Sequence, residues 1–466
     1  MGTPFSITSP IDGSQLVAGN YLSFLEAEEK LRRAEQAQRA WRDTSVPERV
    51  AVLRRFLDAF DRHADEFARQ VSVAMGKPIR QAQGEIAGMR TRAEALCWQA
   101  PMTLADQTLP ERDHLERFIR REPLGVVLDI AAWNYPYVVA INVIAPAILA
   151  GNAVLVKHAP QTACVGRQFE QAFVEAGAPE GLVQDLMVDH STVSDLLRTR
   201  RIAHVGFTGS VRGGHEVYSQ VGAAGFASCG LEMGGKDAAV VLDDADVSET
   251  AVALCDGAFY NAGQSCCAVE RIYVPQKMLG AFVDAFVSET HRLRLGHPLE
   301  ESTTLGPVVS KEAAERINAQ VTSAVARGAR VVSDDRMFYG IKRSECYLPP
   351  RVLLDVDHSM DLMVQESFGP VIGIMPYPSE TEALKLANES RYGLTASVWT
   401  KDHERALAFA DRLQVGTVYM NRCDAVDPDL PWVGTKESGL GCTLSHLGIL
   451  SMTRPKSFNF KLAGSK

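Results

Sequence analysis

Residues 125–156 read GVVLDIAAWNYPYVVAINVIAPAILAGNAVLV, and this stretch decides the fold. Residues 126–130 and 153–156 are short apolar runs rich in valine, isoleucine and leucine, separated by a helix-length segment. Similar runs follow at 182–188, 203–207 and 238–242, with helix-length segments between the first four. Strands that alternate with helices pair in parallel. The expectation is an open α/β sheet of Rossmann type, which binds ligands beyond the carboxyl ends of its strands.

Upstream, the first hundred residues read as helices. Leu25, Leu31, Ala34, Ala37 and Trp41 recur at helical spacing. Residues 47–75 open with Pro47, suited to a first turn, repeat the pattern through Val50, Leu53, Leu57 and Phe60, and stop at Gly76 and Pro78. Downstream, a second α/β region is expected from 235 to 445, with strands at 271–274, 371–375 and 396–399 and helices at 278–293, 311–327 and 381–388. The tail at 457–462 alternates polar and apolar residues, as a half-buried strand does.

The chain has 466 residues, 48 Lys+Arg against 57 Asp+Glu, and 46% apolar residues. That length allows two or three domains, and that composition is globular rather than disordered. The acidic balance argues against nucleic acid and anionic membranes as partners. No apolar run reaches the ~18 residues of a membrane helix. The start, Met-Gly-Thr-Pro-Phe-Ser, fits a loose myristoylation pattern, but no basic cluster follows. It also lacks the shape of a signal peptide. Nine cysteines without a CxxC pair point to reduced thiols, a cytoplasmic setting and no metal site.

Four segments carry candidate chemistry. Asn261-Ala262-Gly263-Gln264-Ser265-Cys266-Cys267 suggests a turn that presents a thiol, although an arbitrary cysteine pair is more often simply packed. Leu231-Glu232-Met233-Gly234-Gly235 places a carboxylate before a flexible turn. Trp133-Asn134-Tyr135-Pro136 follows the first strand, where Asn134 alone reads as a helix cap. Gly206-Phe207-Thr208-Gly209-Ser210 ends a strand and opens a helix, whose free N–H groups suit a phosphate. GxGxxG is absent.

Taken together, these segments resemble the aldehyde dehydrogenase superfamily. The resemblance extends from Ile7-Thr8-Ser9-Pro10 through Pro146-Ala147-Ile148-Leu149-Ala150-Gly151-Asn152 to Glu366-Ser367-Phe368-Gly369-Pro370 and Lys436-Glu437-Ser438-Gly439. It implies a cofactor domain (1–100 and 124–234), an α/β catalytic domain (235–449) and a β oligomerisation element (101–123 and 450–466). Cys266 falls on the nucleophile, Glu232 on the general base and Asn134 on the oxyanion donor. Trp133, Lys157, Thr208, Gly209, Ser210, Glu366 and Phe368 fall on cofactor positions for NAD or NADP. The implied reaction oxidises a small-molecule aldehyde to an acid through a cysteine thioester, in a homodimer or homotetramer. Relatives that pass the acyl group to coenzyme A typically lack the glutamate. A catalytically silent NAD-binding protein would have no need of Cys266, Glu232 and Asn134 together.

Tyr135, Val139, Asn142, Ser265, Cys267 and Trp432 match tunnel-lining positions. Arg422 reads first as a structural partner of Asp424 or Asp427, and second as a contact for a substrate carboxylate. Many NAD-using relatives carry a glutamate where Pro160 stands, so cofactor discrimination is expected to be weak. Lys157-His158-Ala159-Pro160 and the short length look similar to some succinate-semialdehyde dehydrogenases.

Overall fold

The structure, a computed structural model, describes residues 2–112, 114–338 and 344–462. The strands of residues 125–156 lie at the centre of a six-stranded sheet. Its order is Val183–Asp185, Ala153–His158, Val126–Ala131, Ile202–Gly209, Ser228–Met233 and Gly439–Leu440. All neighbours are parallel except the last pair. Helix Pro136–Ala150 is buried along its whole length. It packs on this sheet and under helix Ile79–Thr103, which explains why it is apolar on every side. Gly151 ends it with φ +94°, a conformation that favours glycine.

A second, seven-stranded sheet has the order Arg330–Val331, Arg351–Leu354, Val371–Tyr377, Val269–Pro275, Asp237–Val241, Thr395–Trp399 and Thr417–Met420. Only its first pair is antiparallel. Helices Leu279–Thr290, Lys311–Ala326 and Glu380–Asn388 match expectation to within three residues at each end. The tail strand is longer than its alternation suggested. Thr453–Lys461 pairs antiparallel with Leu115–Pro123, and Phe118 and Phe458 stack at 4.4 Å.

Three features depart from the sequence reading. The N-terminus is not helical throughout: Pro4–Thr8 and Gln15–Asn20 form an antiparallel hairpin before the first helix, Phe24–Trp41. The expected helix 47–75 is two helices, Val46–Asp61 and Ala64–Met75. The break at Arg62-His63 turns the second helix so that the rings of Phe60 and Phe67 meet edge-on at 4.9 Å. Finally, Ser228–Met233 is a strand that the sequence reading did not identify, and it carries Glu232 at its carboxyl end, just before the Gly234-Gly235 turn. Among the described residues, no helix is long and apolar enough to cross a membrane.

Candidate active site

Helix Val247–Phe259 leads into a strained turn. Asn261, Ala262 and Gly263 all have positive φ (+52°, +56°, +69°), which only the glycine adopts without cost. A hydrogen-bond network holds it. Asn261 Nδ2 donates to the carbonyls of Asn134 (3.0 Å) and Gln264 (3.2 Å). Gln264 Nε2 donates to the Asn261 carbonyl (3.1 Å), while its Oε1 accepts from the Val309 N–H (2.8 Å). A Cβ on Gly263 would stand 2.3 Å from the Gly369 carbonyl oxygen, so this position has no room for a side chain. The polar residues before Cys266 therefore build the turn that sets the thiol on the cleft wall.

The cleft has a volume of about 410 Å³. It lies between the carboxyl ends of the first sheet and the loops entering the second. Cys266, Asn134 and Glu232 share its wall. Asn134 is buried and donates through Nδ2 to the Gln264 carbonyl at 3.1 Å. Thr443 donates to Glu232 Oε1. Burial pushes the Glu232 carboxyl up to about 6, against the lowering effects of Thr443 and the Arg92 charge. At neutral pH it is ionised yet basic enough to take a proton.

The other half of the cleft is lined by Trp133, Thr208, Gly209, Ser210, Glu366 and Phe368. Ser210 caps helix Val211–Ala224, accepting from the Gly213 N–H at 3.2 Å, so the helix N-terminus opens onto the cleft. A Cβ on Gly209 would lie 2.7 Å from the Phe207 ring, and one on Gly234 would overlap Glu366 Oε1. Glu366 Oε1 is buried without a hydrogen-bond partner, and burial followed by the Glu270 charge pushes this carboxyl up to about 8. Trp133 and Phe368 meet edge-on at 5.5 Å. The cleft thus gathers every expected site residue except Lys157. That residue is buried at the carboxyl end of the adjacent strand Ala153–His158, off the cleft wall, and burial lowers its ammonium. Arg212 and Arg316, not foreseen, also line the cleft.

Beside Cys266 lies a polar group that the sequence did not announce. Asp424 accepts from Ser265 Oγ (2.9 Å) and Cys267 Sγ (2.8 Å), and burial raises its carboxyl. Arg422 therefore is not its partner, contrary to the expectation. Arg422 is exposed and makes no ion pair with Asp424 or Asp427 among the described residues. Of the expected tunnel residues, Tyr135 lies under the buried Lys77 ammonium (3.8 Å), and Asn142 accepts from Arg92 (3.1 Å). Trp432 and Cys267 share a small apolar cluster against which Cys266 packs. Lys77 pairs with the buried Glu85. Lys77, Arg92 and Thr443 all lie far from Cys266 in the chain, and no local pattern marks them. Among the described residues, no group of three or more His, Cys, Asp or Glu is placed to hold a metal.

Comparison with known proteins agrees with this geometry. The chain is 35% identical to the succinate semialdehyde dehydrogenase [NAD(P)+] Sad of Escherichia coli, over 95% of this chain and 94% of the relative. It is also 35% identical to the succinate-semialdehyde dehydrogenase [NADP(+)] of Deinococcus radiodurans, over 97% and 94%. The structure of an NADP-dependent glyceraldehyde-3-phosphate dehydrogenase from Bacillus halodurans, complexed with NADP, superposes with a TM-score of 0.93 at 33% identity, covering 99% of this chain and 96% of that one. Residues 2–458 match the aldehyde dehydrogenase family, and the chain belongs to it.

Proposed function

We propose that this enzyme oxidises an aldehyde to a carboxylic acid with NAD or NADP, through a covalent intermediate on Cys266 that Glu232 hydrolyses. The observation that carries this reading is the shared wall of Cys266, Asn134 and Glu232 in one cleft. Cys266, as thiolate, attacks the aldehyde carbonyl to give a tetrahedral thiohemiacetal. The Asn134 amide and the Cys266 backbone N–H stabilise its oxyanion. A nicotinamide cofactor held in this cleft would supply the hydride acceptor, and loss of hydride from the thiohemiacetal leaves a thioester on Cys266. Glu232 then draws a proton from water, whose oxygen attacks the acyl carbon; the C–S bond breaks and the acid leaves.

The cleft fits such a cofactor on its own terms. The capped helix N-terminus at Ser210 offers free N–H groups to a pyrophosphate. Gly209 and Thr208 let it approach, and Glu366 Oε1, buried without a partner, awaits a ribose hydroxyl. Trp133 and Phe368 wall the nicotinamide end, and Lys157 is assigned to the adenine-side ribose. Residues 1–100 and 124–234 serve as the cofactor domain, 235–449 as the catalytic domain, and 101–123 with 450–466 as a β element for homo-oligomerisation in the cytoplasm. Strand Thr453–Lys461 lies at the edge of its sheet, with Phe460 about half exposed; such an edge is normally covered by a partner.

A second reading concerns the substrate. Arg92 lies inside the protein near Glu232 and Cys266, and pairs with no carboxylate among the described residues. It suits an aldehyde with a distal carboxylate, the class named for the two curated relatives. A panel of aliphatic, aromatic and ω-carboxylate aldehydes, assayed with each cofactor for nicotinamide reduction, tests both readings. No reduction with any aldehyde refutes the first. Equal kcat/KM for succinate semialdehyde and butanal refutes the second.

A further inference from the structure

Glu232 separates two spaces. On one side is the catalytic cleft; on the other is an inner cavity of about 150 Å³, whose polar groups include Glu232, His204, Thr443 and Ser228 and whose remaining wall is mostly apolar, with Val143 and Met452. The pairing of two parallel strands explains its shape. His204 registers with Ser228, Gly206 with Gly230, and Thr208 with Glu232. These alternate positions share one face of the sheet. Two glycines thus lie between His204 and Glu232; Val143 covers Gly206, 2.8 Å from where its Cβ would stand, and the opening runs over Gly230, which carries no side chain.

His204 fills the far end of that opening. Its Nε2 lies 3.7 Å from where a Cβ of Gly230 would stand, so the ring edge lies over the glycine floor. Its Nδ1 is 2.7 Å from Ser228 Oγ. Ser228 is exposed and also lines an outer groove with Arg200, Phe226 and Arg454. The ring thus has one nitrogen over the inner cavity and the other on a hydroxyl that reaches solvent. Burial lowers the His204 imidazole to about 4, so it rests neutral, able to accept at one nitrogen while donating at the other. The remaining titratable groups are poor carriers. Cys229 is pushed up to about 12 and Cys442 is raised, each first by burial. Asp129, in register with Gly206, is pushed well above the usual carboxylate range by burial and then by the Glu232 charge.

We propose that His204 is a proton-relay residue, which receives at Nε2, through water in the inner cavity, the proton that Glu232 takes from the hydrolytic water. The proposal rests on the hydrolytic reading above. Thioester and water yield the acid, the Cys266 thiol and one net proton at neutral pH. That proton leaves Glu232 for a cavity water, and a proton of that water passes to Nε2. The Nδ1 proton moves to Ser228 Oγ, and the serine hydroxyl proton passes to solvent. Tautomer exchange then resets the ring. The cavity is far larger than one water needs, and Glu232, Thr443 and His204 supply polar partners.

The test uses the full-length enzyme with propanal and with succinate semialdehyde. After mixing with cofactor, the acyl-enzyme is acid-quenched and weighed as intact protein, so that its formation and decay are read separately. His204→Gln retains a polar side chain but cannot carry a proton; His204→Ala leaves room for added imidazole. Both variants are expected to form acyl-enzyme at the wild-type rate and to lose it roughly tenfold more slowly, a smaller effect than the ~10²–10⁴ of a direct acid–base group. Imidazole should restore the decay in the Ala variant and not in the Gln variant. Wild-type decay in both variants overturns the relay, as does slow decay that imidazole leaves unchanged. A Glu232→Gln enzyme that turns over normally and accumulates no acyl-enzyme overturns the hydrolytic reading itself, and the relay with it.

Discussion

Asn134 Nδ2 donates to the carbonyl oxygen of Gln264 at 3.1 Å, two residues ahead of Cys266. The bond ties the strand-to-helix turn of the first sheet to the cysteine turn of the second, so the amide and the thiol are fixed relative to each other. An amide nitrogen has two N–H groups, and one remains for a developing oxyanion.

Asn134→Ala is therefore expected to lower kcat by about 10²–10³, the usual loss when one oxyanion donor is removed. Asn134→Asp should be at least as slow, since an ionised carboxylate would repel the oxyanion. Kinetics unchanged from wild type in the Ala variant would remove Asn134 from the mechanism.

The adjacent cysteines separate cleanly. Cys266 is on the cleft wall, whereas Cys267 is buried and donates to Asp424 at 2.8 Å. Cys266→Ala should abolish nicotinamide reduction; Cys267→Ala should retain much of it. The opposite pattern would mean that the nucleophile is misassigned by one residue.

Gly263 is confined by backbone on the facing loop, with φ +69° and the Gly369 carbonyl where a Cβ would sit. Gly263→Ala is expected to cost about 1–3 kcal/mol of stability and to displace the thiol, so that thermal unfolding and kcat fall together. A variant with wild-type unfolding temperature and activity would show that the turn is not confined in this way.

The two sheets were legible in the sequence because their strands are fully buried runs such as Val126-Val127-Leu128, and buried parallel strands need no partner signal. The hairpin at Pro4–Thr8 was missed although Phe5 and Ile7 alternate, because its partner Gln15–Asn20 is almost wholly exposed and its apolar residues Leu16, Val17 and Ala18 are consecutive rather than alternating. The Arg62-His63 break left no mark, since Phe60 and Phe67 are both buried and continue the apolar spacing across it. Cys266, Glu232 and Asn134 were singled out because the local segments that carry them together resemble the family. Thr443 and Asp424 were not, because each matters only through a partner more than 150 residues away.

Cofactor choice follows from a side chain that is absent. Pro160 opens a short helical turn after strand Ala153–His158 and offers neither a carboxylate for ribose hydroxyls nor a charge to repel a 2′-phosphate. NAD and NADP should thus differ by no more than about 10²-fold in kcat/KM, roughly 2.7 kcal/mol. Pro160→Glu should shift the ratio toward NAD. A wild-type preference for NAD beyond about 10³-fold would locate the discrimination elsewhere.

Glu232 offers the sharpest test, because its chemistry and its environment predict the same observable. Glu232→Gln removes the acceptor for the water proton but leaves the thiol and the oxyanion donor in place. A burst of reduced nicotinamide followed by a slow steady state is expected, with acyl-enzyme accumulating. In the wild type the base works only when ionised. Burial raises its carboxyl to about 6, so acyl-enzyme hydrolysis should fall as the pH drops through that value. At pH 5 only about a tenth of the base would be ionised. The Thr443 hydroxyl donates to this carboxylate and opposes the effect of burial. Thr443→Val withdraws a bond that favours the charged form, and the inflection should therefore move to higher pH. A pH profile of acyl-enzyme decay for wild type and Thr443→Val measures both positions. An inflection that stays fixed, or moves downward, would mean that some group other than Glu232 activates the water.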